Sequence, residues 1–137
     1  MIRGLILTHG DFGRSVISTT EKIMGPVEGV KVISNEMVSI KDLVSTLDTS
    51  IKEFEEDEVL IMVDFCGGSC WHAAQVVMRD RPKTALISGV NLPMALAFAN
   101  KRDSYKLTEF AEYLKESSVK GTEIKNWQEE PEDKNQG

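Results

Sequence analysis

The sequence is poor in cysteine. Among 137 residues only Cys66 and Cys70 occur, four positions apart across two glycines. A bridge between them would close a very tight loop, and their spacing fits neither a secreted disulfide framework nor a CxxC redox pair. We therefore interpret both as free thiols. A chain of this length buries roughly two thirds of its unfolded surface, so it needs no covalent staple.

Long hydrophobic runs are also absent. No stretch approaches the roughly 20 apolar residues that a membrane-spanning helix requires. The early run Leu5 to Leu7 is shorter than the roughly 7 to 15 residues of a signal-peptide core. With 41% apolar and 28% charged residues, the composition is that of a globular protein. We expect one cytoplasmic domain over residues 1–127, followed by a polar, disordered tail over residues 128–137.

Basic clusters and nucleotide-binding motifs are missing too. The formal charge is −6, whereas nucleic acid or an anionic membrane requires Lys and Arg concentrated on one face. A basic protein surface is the better partner. Neither GxGxxG nor the Walker A pattern occurs, so a dinucleotide or nucleoside triphosphate site is not indicated. No Mg²⁺ constellation stands out, and we expect no metal and no cofactor.

Four short apolar runs predict strands that are buried on both faces. These runs are Ile2 to Leu7, Val30 to Ile33, Val59 to Val63 and Thr84 to Ile87. Segments of helical length and period are Phe12 to Met24, Ser39 to Phe54, Ser69 to Pro82, Leu92 to Lys101 and Leu107 to Glu116. This alternation predicts a three-layer α/β fold, an open and mainly parallel sheet with helices on both faces. We assume the flavodoxin-like strand order 2-1-3-4.

Two unusual turns follow the first and third predicted strands. The first strand ends in Thr8-His9-Gly10, and the third ends in Asp64-Phe65-Cys66 before Gly67-Gly68-Ser69. In an open parallel sheet the ligand crevice lies beyond the strand ends where the order reverses, which is here between strands one and three. The assumed order therefore makes the two turns neighbours at one crevice.

His9 is the candidate nucleophile of that crevice. A neutral imidazole attacks near pH 7 when one ring nitrogen is free and the other holds the proton. Asp64 could accept a hydrogen bond from one nitrogen, fix the tautomer and stabilise the positive charge that develops. The sequence leaves an alternative open, in which His9 is satisfied by backbone and Asp64 caps a helix.

The segment Gly67-Gly68-Ser69 predicts a phosphate site. Unpaired N–H groups and the helix dipole favour an anion at a helix start, and glycine permits close approach to it. Ser69 adds a hydroxyl donor, and we assign Gly10 to the same phosphate site. A tight strand-to-helix turn without any ligand would have the same sequence. Transfer from a phosphohistidine donor needs neither metal nor nucleotide, because the task reduces to positioning and charge stabilisation.

A soft metal site is the competing interpretation of this region. Cys66, Cys70 and His72, with or without His9, offer thiolates and imidazoles. The spacing is irregular for zinc, and within a helix Cys70 and His72 point to different sides. We therefore favour phosphate chemistry.

Three separated motifs carry a family resemblance. His9, Asp64 with Gly67-Gly68-Ser69, and Gly89-Val90-Asn91-Leu92-Pro93-Met94 resemble the IIA domain of the mannose family of the bacterial phosphoenolpyruvate-dependent sugar phosphotransferase system. The likeness covers about residues 1 to 125. It implies that His9 takes a phosphoryl group from the phosphocarrier HPr and passes it to a IIB protein. Asp64 and Ser69 match the family aspartate and the phosphate-side serine.

The resemblance has further implications for architecture and partners. It implies a homodimer and a final antiparallel strand, often exchanged between subunits, which Val119 to Trp127 would form here. Thr8, Phe65, Asn91 and Pro93 are expected to line the crevice. We expect a separate IIB chain as acceptor, because no IIB domain follows the tail, and peripheral association with a membrane permease complex is compatible with this role.

The chain departs from the family pattern after Ser69. The family usually continues with proline and a small polar residue, whereas this chain has Cys70, Trp71 and His72. The departure changes the surface on which a partner would dock. It leaves a second hypothesis open, a regulatory module of the same fold that signals through its phosphorylation state or through binding. The sequence indicates no particular sugar.

Overall fold

Four strands pair into one parallel sheet in the computed structural model, which describes residues 1–127. They are β1 (Arg3–Thr8), β2 (Val30–Ser34), β3 (Val59–Val63) and β4 (Thr84–Ile87). The order β2-β1-β3-β4 confirms the predicted topology, and all three pairings are parallel. The central strands β1 and β3 are buried almost throughout, which explains why their sequences are apolar rather than alternating.

Within residues 1–127, five helices cover the two faces of the sheet. They are α1 (Phe12–Met24), α2 (Ile40–Lys52), α3 (Ser69–Met78), α4 (Leu92–Lys101) and α5 (Leu107–Lys120). Successive residues of β1 point to opposite faces, so Leu5 packs with α2 and α3 whereas Ile6 packs with α4 and α5. The side chains of Phe98 and Phe110 fill the second of these two cores. The predicted three-layer α/β architecture is therefore confirmed.

Helix ends follow the local capping signals. The Ser39 hydroxyl accepts a hydrogen bond from the Asp42 amide at 3.1 Å and starts α2 as the sequence predicts. The third helix is shorter than expected, because α3 ends at Met78 rather than near Pro82. Proline disfavours helical backbone at the preceding residue, and the chain turns before reaching it. Among residues 1–127, no helix combines the length and apolar character needed to cross a membrane.

The predicted antiparallel edge strand over Val119 to Trp127 is not formed in this chain. Val119 and Lys120 are the last residues of α5, and residues 121–127 adopt no strand. A strand needs a neighbouring backbone to pair its N–H and C=O groups, and this segment joins neither edge of the described sheet. The tail predicted over residues 128–137 lies outside the described residues.

Arg102, directly after α4, ties the start of β1 to the turn before β2. Only 7% exposed, it donates from Nε and Nη2 to the Ile2 carbonyl at 3.0 and 2.7 Å, and from Nη1 to the Glu28 carbonyl. Its guanidinium lies over the Phe98 ring, 4.7 Å from the centroid. A buried cation is tolerated here because carbonyl oxygens and an aromatic face replace water around it.

We expect Arg102→Ala to lower the free energy of unfolding by about 2–3 kcal/mol, because buried carbonyls lose charged donors. Urea unfolding followed by circular dichroism measures this. Lys101→Ala removes the neighbouring exposed cation and should change the same quantity by less than about 0.5 kcal/mol. Equal effects of the two substitutions would contradict the anchoring role of Arg102.

Candidate functional site

His9 and Asp64 meet where β1 and β3 end side by side. The parallel register sets Leu7 opposite Val63, so the residues that follow emerge at the same edge of the sheet. Nδ1 of His9 donates to Oδ2 of Asp64 at 2.7 Å, and the His9 backbone N–H donates to the same oxygen at 2.9 Å. One carboxylate oxygen thus holds both the backbone and the ring of the histidine.

This pairing decides which ring nitrogen of His9 can react. A carboxylate only accepts hydrogen bonds, so in the neutral imidazole Nδ1 carries the proton and Nε2 keeps its lone pair. The His9 side chain is 42% exposed, whereas that of Asp64 is 14% exposed. On this partly exposed ring, an unprotonated Nε2 can attack an electrophile brought by another molecule, while the more enclosed carboxylate stabilises the charged ring.

Phe65 and Gly68 pack closely around the imidazole. The Phe65 ring stacks on His9 with centroids 5.2 Å apart and planes inclined by 28°. A Cβ atom at residue 68 would lie 2.7 Å from Cζ of Phe65 and 3.2 Å from Cε1 of His9. Glycine at this position therefore preserves the packing of Phe65 on His9, and the preference is one of space because its φ of −86° is open to any residue.

Gly10 and Gly67 make the turns that carry the chain from strand to helix. Their φ values of +54° and +98° lie in the left-handed region that favours glycine. Gly68, the residue before α3, has no side chain to bond the first amides of that helix. The angles of Gly10 and Gly67 show that these two residues turn the backbone. Contact of Gly10, Gly67 and Gly68 with phosphate stays a prediction.

Ser69, the first residue of α3, receives a hydrogen bond from a residue that the sequence interpretation missed. Nδ2 of Asn35 donates to Oγ of Ser69 at 3.1 Å. Asn35 directly follows β2, which pairs with β1 on the side opposite to β3. The available signal was an amide side chain two residues after the predicted strand Val30 to Ile33, at the edge where the crevice was expected.

Three residues expected to line the crevice make hydrogen bonds or packing contacts with helices, and their place at the crevice stays a prediction. Oγ1 of the fully buried Thr8 accepts a hydrogen bond from an amide in the first turn of α1 at 2.7 Å. Asn91 caps α4, and its Nδ2 donates to the Ser118 hydroxyl in α5 at 2.8 Å. The Pro93 ring packs against the backbone of Gly121. The fourth predicted lining residue, Phe65, does stand beside His9.

The two cysteines have different surroundings. Cys66 is exposed, whereas Cys70 is fully buried with its Sγ 3.9 Å from Nδ1 of His9. Burial, reinforced by the negative charge of Asp64, raises the pKa of the Cys70 thiol to about 11. The Ser69 hydroxyl lowers this pKa by a smaller amount through a hydrogen bond. Cys70 therefore keeps its proton at neutral pH.

These contacts change the metal hypothesis. Within residues 1–127 the metal-ligating atoms that gather belong to His9, Asp64 and Cys70, all within 4.8 Å of one another. The set drawn from the sequence, with Cys66 and His72, is not the one that the fold assembles. A protonated thiol is a poor ligand, and the other two groups already bond each other. The arrangement favours a hydrogen-bonded histidine over a metal centre.

Comparison with known proteins agrees with this geometry. A family model described as PTS system fructose IIA component, EIIA-man, matches residues 4–115. The chain belongs to this family. It is thus a IIA component of the mannose and fructose branch of the phosphotransferase system (PTS), and the resemblance drawn from its motifs is confirmed.

Three relatives of this IIA component have low sequence identity to it, but the matches cover most of both chains. The PTS system fructose-specific EIIA component of Bacillus subtilis (strain 168) is 28% identical over 126 residues, covering 90% of this chain and 86% of that protein. The sorbose-specific EIIA component of Klebsiella pneumoniae is 23% identical over 114 residues, covering 83% and 84%. The mannose/sorbose specific IIA subunit from Enterococcus faecalis superposes with a TM-score of 0.83 at 21% identity, covering 90% and 94%. At that identity the superposition shows the fold alone.

We expect iodoacetamide to alkylate Cys66 but not Cys70 in the folded IIA component at about pH 8, because Cys70 is both enclosed and protonated. Mass spectrometry before and after urea unfolding measures this. Cys66→Ala should abolish labelling of the folded protein, whereas Cys70→Ala should leave it unchanged. Native labelling of both thiols would contradict the enclosure of Cys70.

The same pKa implies a pH dependence of stability. An unfolded thiol, with its ordinary pKa of 9.0, loses a proton that folded Cys70 keeps up to about pH 11. The contribution of Cys70 to the free energy of unfolding is therefore constant below pH 9.0 and declines as the pH rises above that value. In urea unfolding at alkaline pH, Cys70→Ala should show a shallower decline than Cys66→Ala.

Proposed function

We propose that this IIA component is a cytoplasmic phosphoryl carrier that accepts phosphate from phospho-HPr on Nε2 of His9 and passes it to a separate IIB protein. The observation that carries the proposal is the pairing of Nδ1 with Asp64 at 2.7 Å, which leaves Nε2 unprotonated on an accessible ring. Family membership supports the class of reaction, and the geometry supports the proposed residue roles.

The transfer step needs no proton movement at the attacking atom. The Nε2 lone pair forms the new bond to phosphorus while the donor P–N bond breaks, and the donor imidazole leaves with that electron pair. The His9 ring becomes positively charged because Nδ1 keeps its proton. Asp64 stabilises that charge at hydrogen-bond distance. Transfer to the IIB protein reverses these steps, with its nucleophile attacking phosphorus.

The start of α3 supports the proposed phosphate cradle. Gly68 lies against the His9 ring, and the amides after it begin a helix whose dipole favours negative charge. The Ser69 hydroxyl adds a donor at the first position of that helix. Together with Gly10 and Gly67 these groups would neutralise the phosphoryl oxygens without a metal ion.

Exposed apolar side chains at the same edge of the sheet support docking of protein partners. Phe12, Met37 and Phe65 follow β1, β2 and β3, and they are 46%, 98% and 52% exposed. Contiguous exposed apolar patches mark interaction surfaces, and three such side chains at one edge of the sheet are consistent with one. HPr and IIB would use this surface in turn, because both must reach His9. The homodimer and a peripheral contact with a membrane permease complex belong to the same proposal.

The decisive experiment is a labelling assay with enzyme I, HPr and radioactive phosphoenolpyruvate. We expect acid-labile label on the wild-type chain and none on His9→Ala, because the nucleophile is gone. His72→Ala removes the other, exposed histidine and should label normally. A IIB acceptor should then remove the label.

Two outcomes separate the carrier from the regulatory alternative. Label that no IIB acceptor removes would favour a module that signals through its phosphorylation state. Label that persists on His9→Ala would contradict His9 as the carrier.

We expect Asp64→Asn to slow labelling about a hundredfold, the scale of losing one positioned charge partner in proton and group transfer. Oδ2 accepts two N–H groups and Oδ1 accepts the Phe65 amide at 3.2 Å, whereas an amide side chain has one acceptor. In either orientation its NH₂ would face an N–H donor. Rapid-quench measurement of phosphohistidine formation gives the rate.

Asp57→Asn is the matched control for that substitution. Asp57 pairs with Arg3 at 2.7 Å near the start of β3, at the opposite end of that strand from His9. It should leave the labelling rate unchanged while both variants stay folded. Equal rates for wild type and Asp64→Asn would remove Asp64 from the mechanism.

A further inference from the structure

We propose that Asn35 is a positioning residue that orients the Ser69 hydroxyl toward the phosphoryl group on His9. The inference rests on the proposed function, because it concerns how that site holds its phosphate. The observation is the hydrogen bond from Nδ2 of Asn35 to Oγ of Ser69, 3.1 Å long, between the turn after β2 and the first turn of α3.

Asn35 is itself held firmly. Its backbone N–H donates to the Thr8 carbonyl at 3.0 Å, and its carbonyl accepts from the Val38 amide at 3.3 Å. The first bond attaches Asn35 to the end of β1, one residue before His9. The side-chain amide therefore starts from a backbone fixed relative to the histidine, and a preorganised donor costs little reorganisation during the reaction.

The direction of the bond sets what the Ser69 hydroxyl can do. A hydroxyl has one proton to donate and two lone pairs that accept. Asn35 donates, so it occupies a lone pair of Oγ and leaves the Ser69 proton available. The hydroxyl can then rotate about a fixed oxygen and donate to a phosphoryl oxygen. Fixing the oxygen while leaving its proton available is what a phosphate donor requires.

Cys70 is the competing acceptor for that proton. The Ser69 hydroxyl lowers the pKa of the Cys70 thiol, which is the effect of a hydroxyl donor near the sulfur. Sulfur is a weak acceptor, whereas a phosphoryl oxygen is charged and accepts strongly. When His9 is phosphorylated, the Ser69 hydroxyl should therefore donate its hydrogen bond to the phosphate rather than to the sulfur. Asn35 keeps the oxygen in place during this exchange.

The test compares single and double variants in the labelling assay. Asn35→Ala keeps both backbone hydrogen bonds and removes only the amide side chain. We expect the labelling rate at saturating phospho-HPr to fall about fivefold, as for a lost orienting hydrogen bond, with KM unchanged. In a Ser69→Ala background the same substitution should have no further effect, because the hydroxyl that it orients is absent.

Asn35→Asp tests the direction of the bond. A carboxylate only accepts, so it would draw the Ser69 proton away from phosphate and add a negative charge near it. We expect this variant to be slower than Asn35→Ala. Ser34→Ala is the matched control in the same turn, since it removes the bond from the Glu36 amide to the Ser34 hydroxyl at 3.0 Å without touching Ser69. It should label at the wild-type rate.

The inference fails if Asn35→Ala labels at the wild-type rate, if its loss persists undiminished in the Ser69→Ala background, or if only KM changes. An Asn35→Asp variant as fast as Asn35→Ala would also overturn it. Melting temperatures of all variants identify any loss that comes from unfolding. Failure of the proposed function is distinguishable, because the wild-type chain itself would then take no label.

Discussion

The parallel pairing of β1 with β3 is the constraint on which the rest of the site depends. It sets Leu7 beside Val63, so the residues that follow the two strands emerge at the same edge of the sheet. There a single oxygen of Asp64 accepts from both the backbone and the ring of His9. Neither group could hold the other if a strand lay between them, because neighbouring strands are already about 4.8 Å apart.

The His9–Asp64 bond organises a tightly packed neighbourhood. Gly68 leaves room for the imidazole and for the Phe65 ring that stacks on it. Cys70 closes the site from the core side as a neutral thiol, because a thiolate beside the Asp64 carboxylate would be repelled and poorly solvated. The His9 side chain is 42% exposed, and exposed apolar side chains follow β1, β2 and β3 at the same edge of the sheet.

Sequence reasoning succeeded where local physics is strong. Apolar runs predicted the four strands, Ser39 with Asp42 predicted a helix start, and the two polar turns after β1 and β3 predicted His9 and Asp64 as partners. It left open the side-chain contacts of Asn91 and Pro93, which are with Ser118 and Gly121, and their lining of the crevice stays a prediction. It also missed Asn35, because one amide after a strand carries no direction until its neighbour in space is known.

The sequence by itself determined the class of fold and the choice of His9 as the candidate nucleophile, because hydrophobic periodicity and glycine-rich turns act over a few residues. Only the tertiary structure decided which nitrogen of His9 is free, that Cys70 rather than Cys66 approaches the ring, and that Asn35 bonds Ser69. These contacts join residues 34 to 61 positions apart in the chain. Their distances depend on strand register and helix packing, which no local pattern specifies.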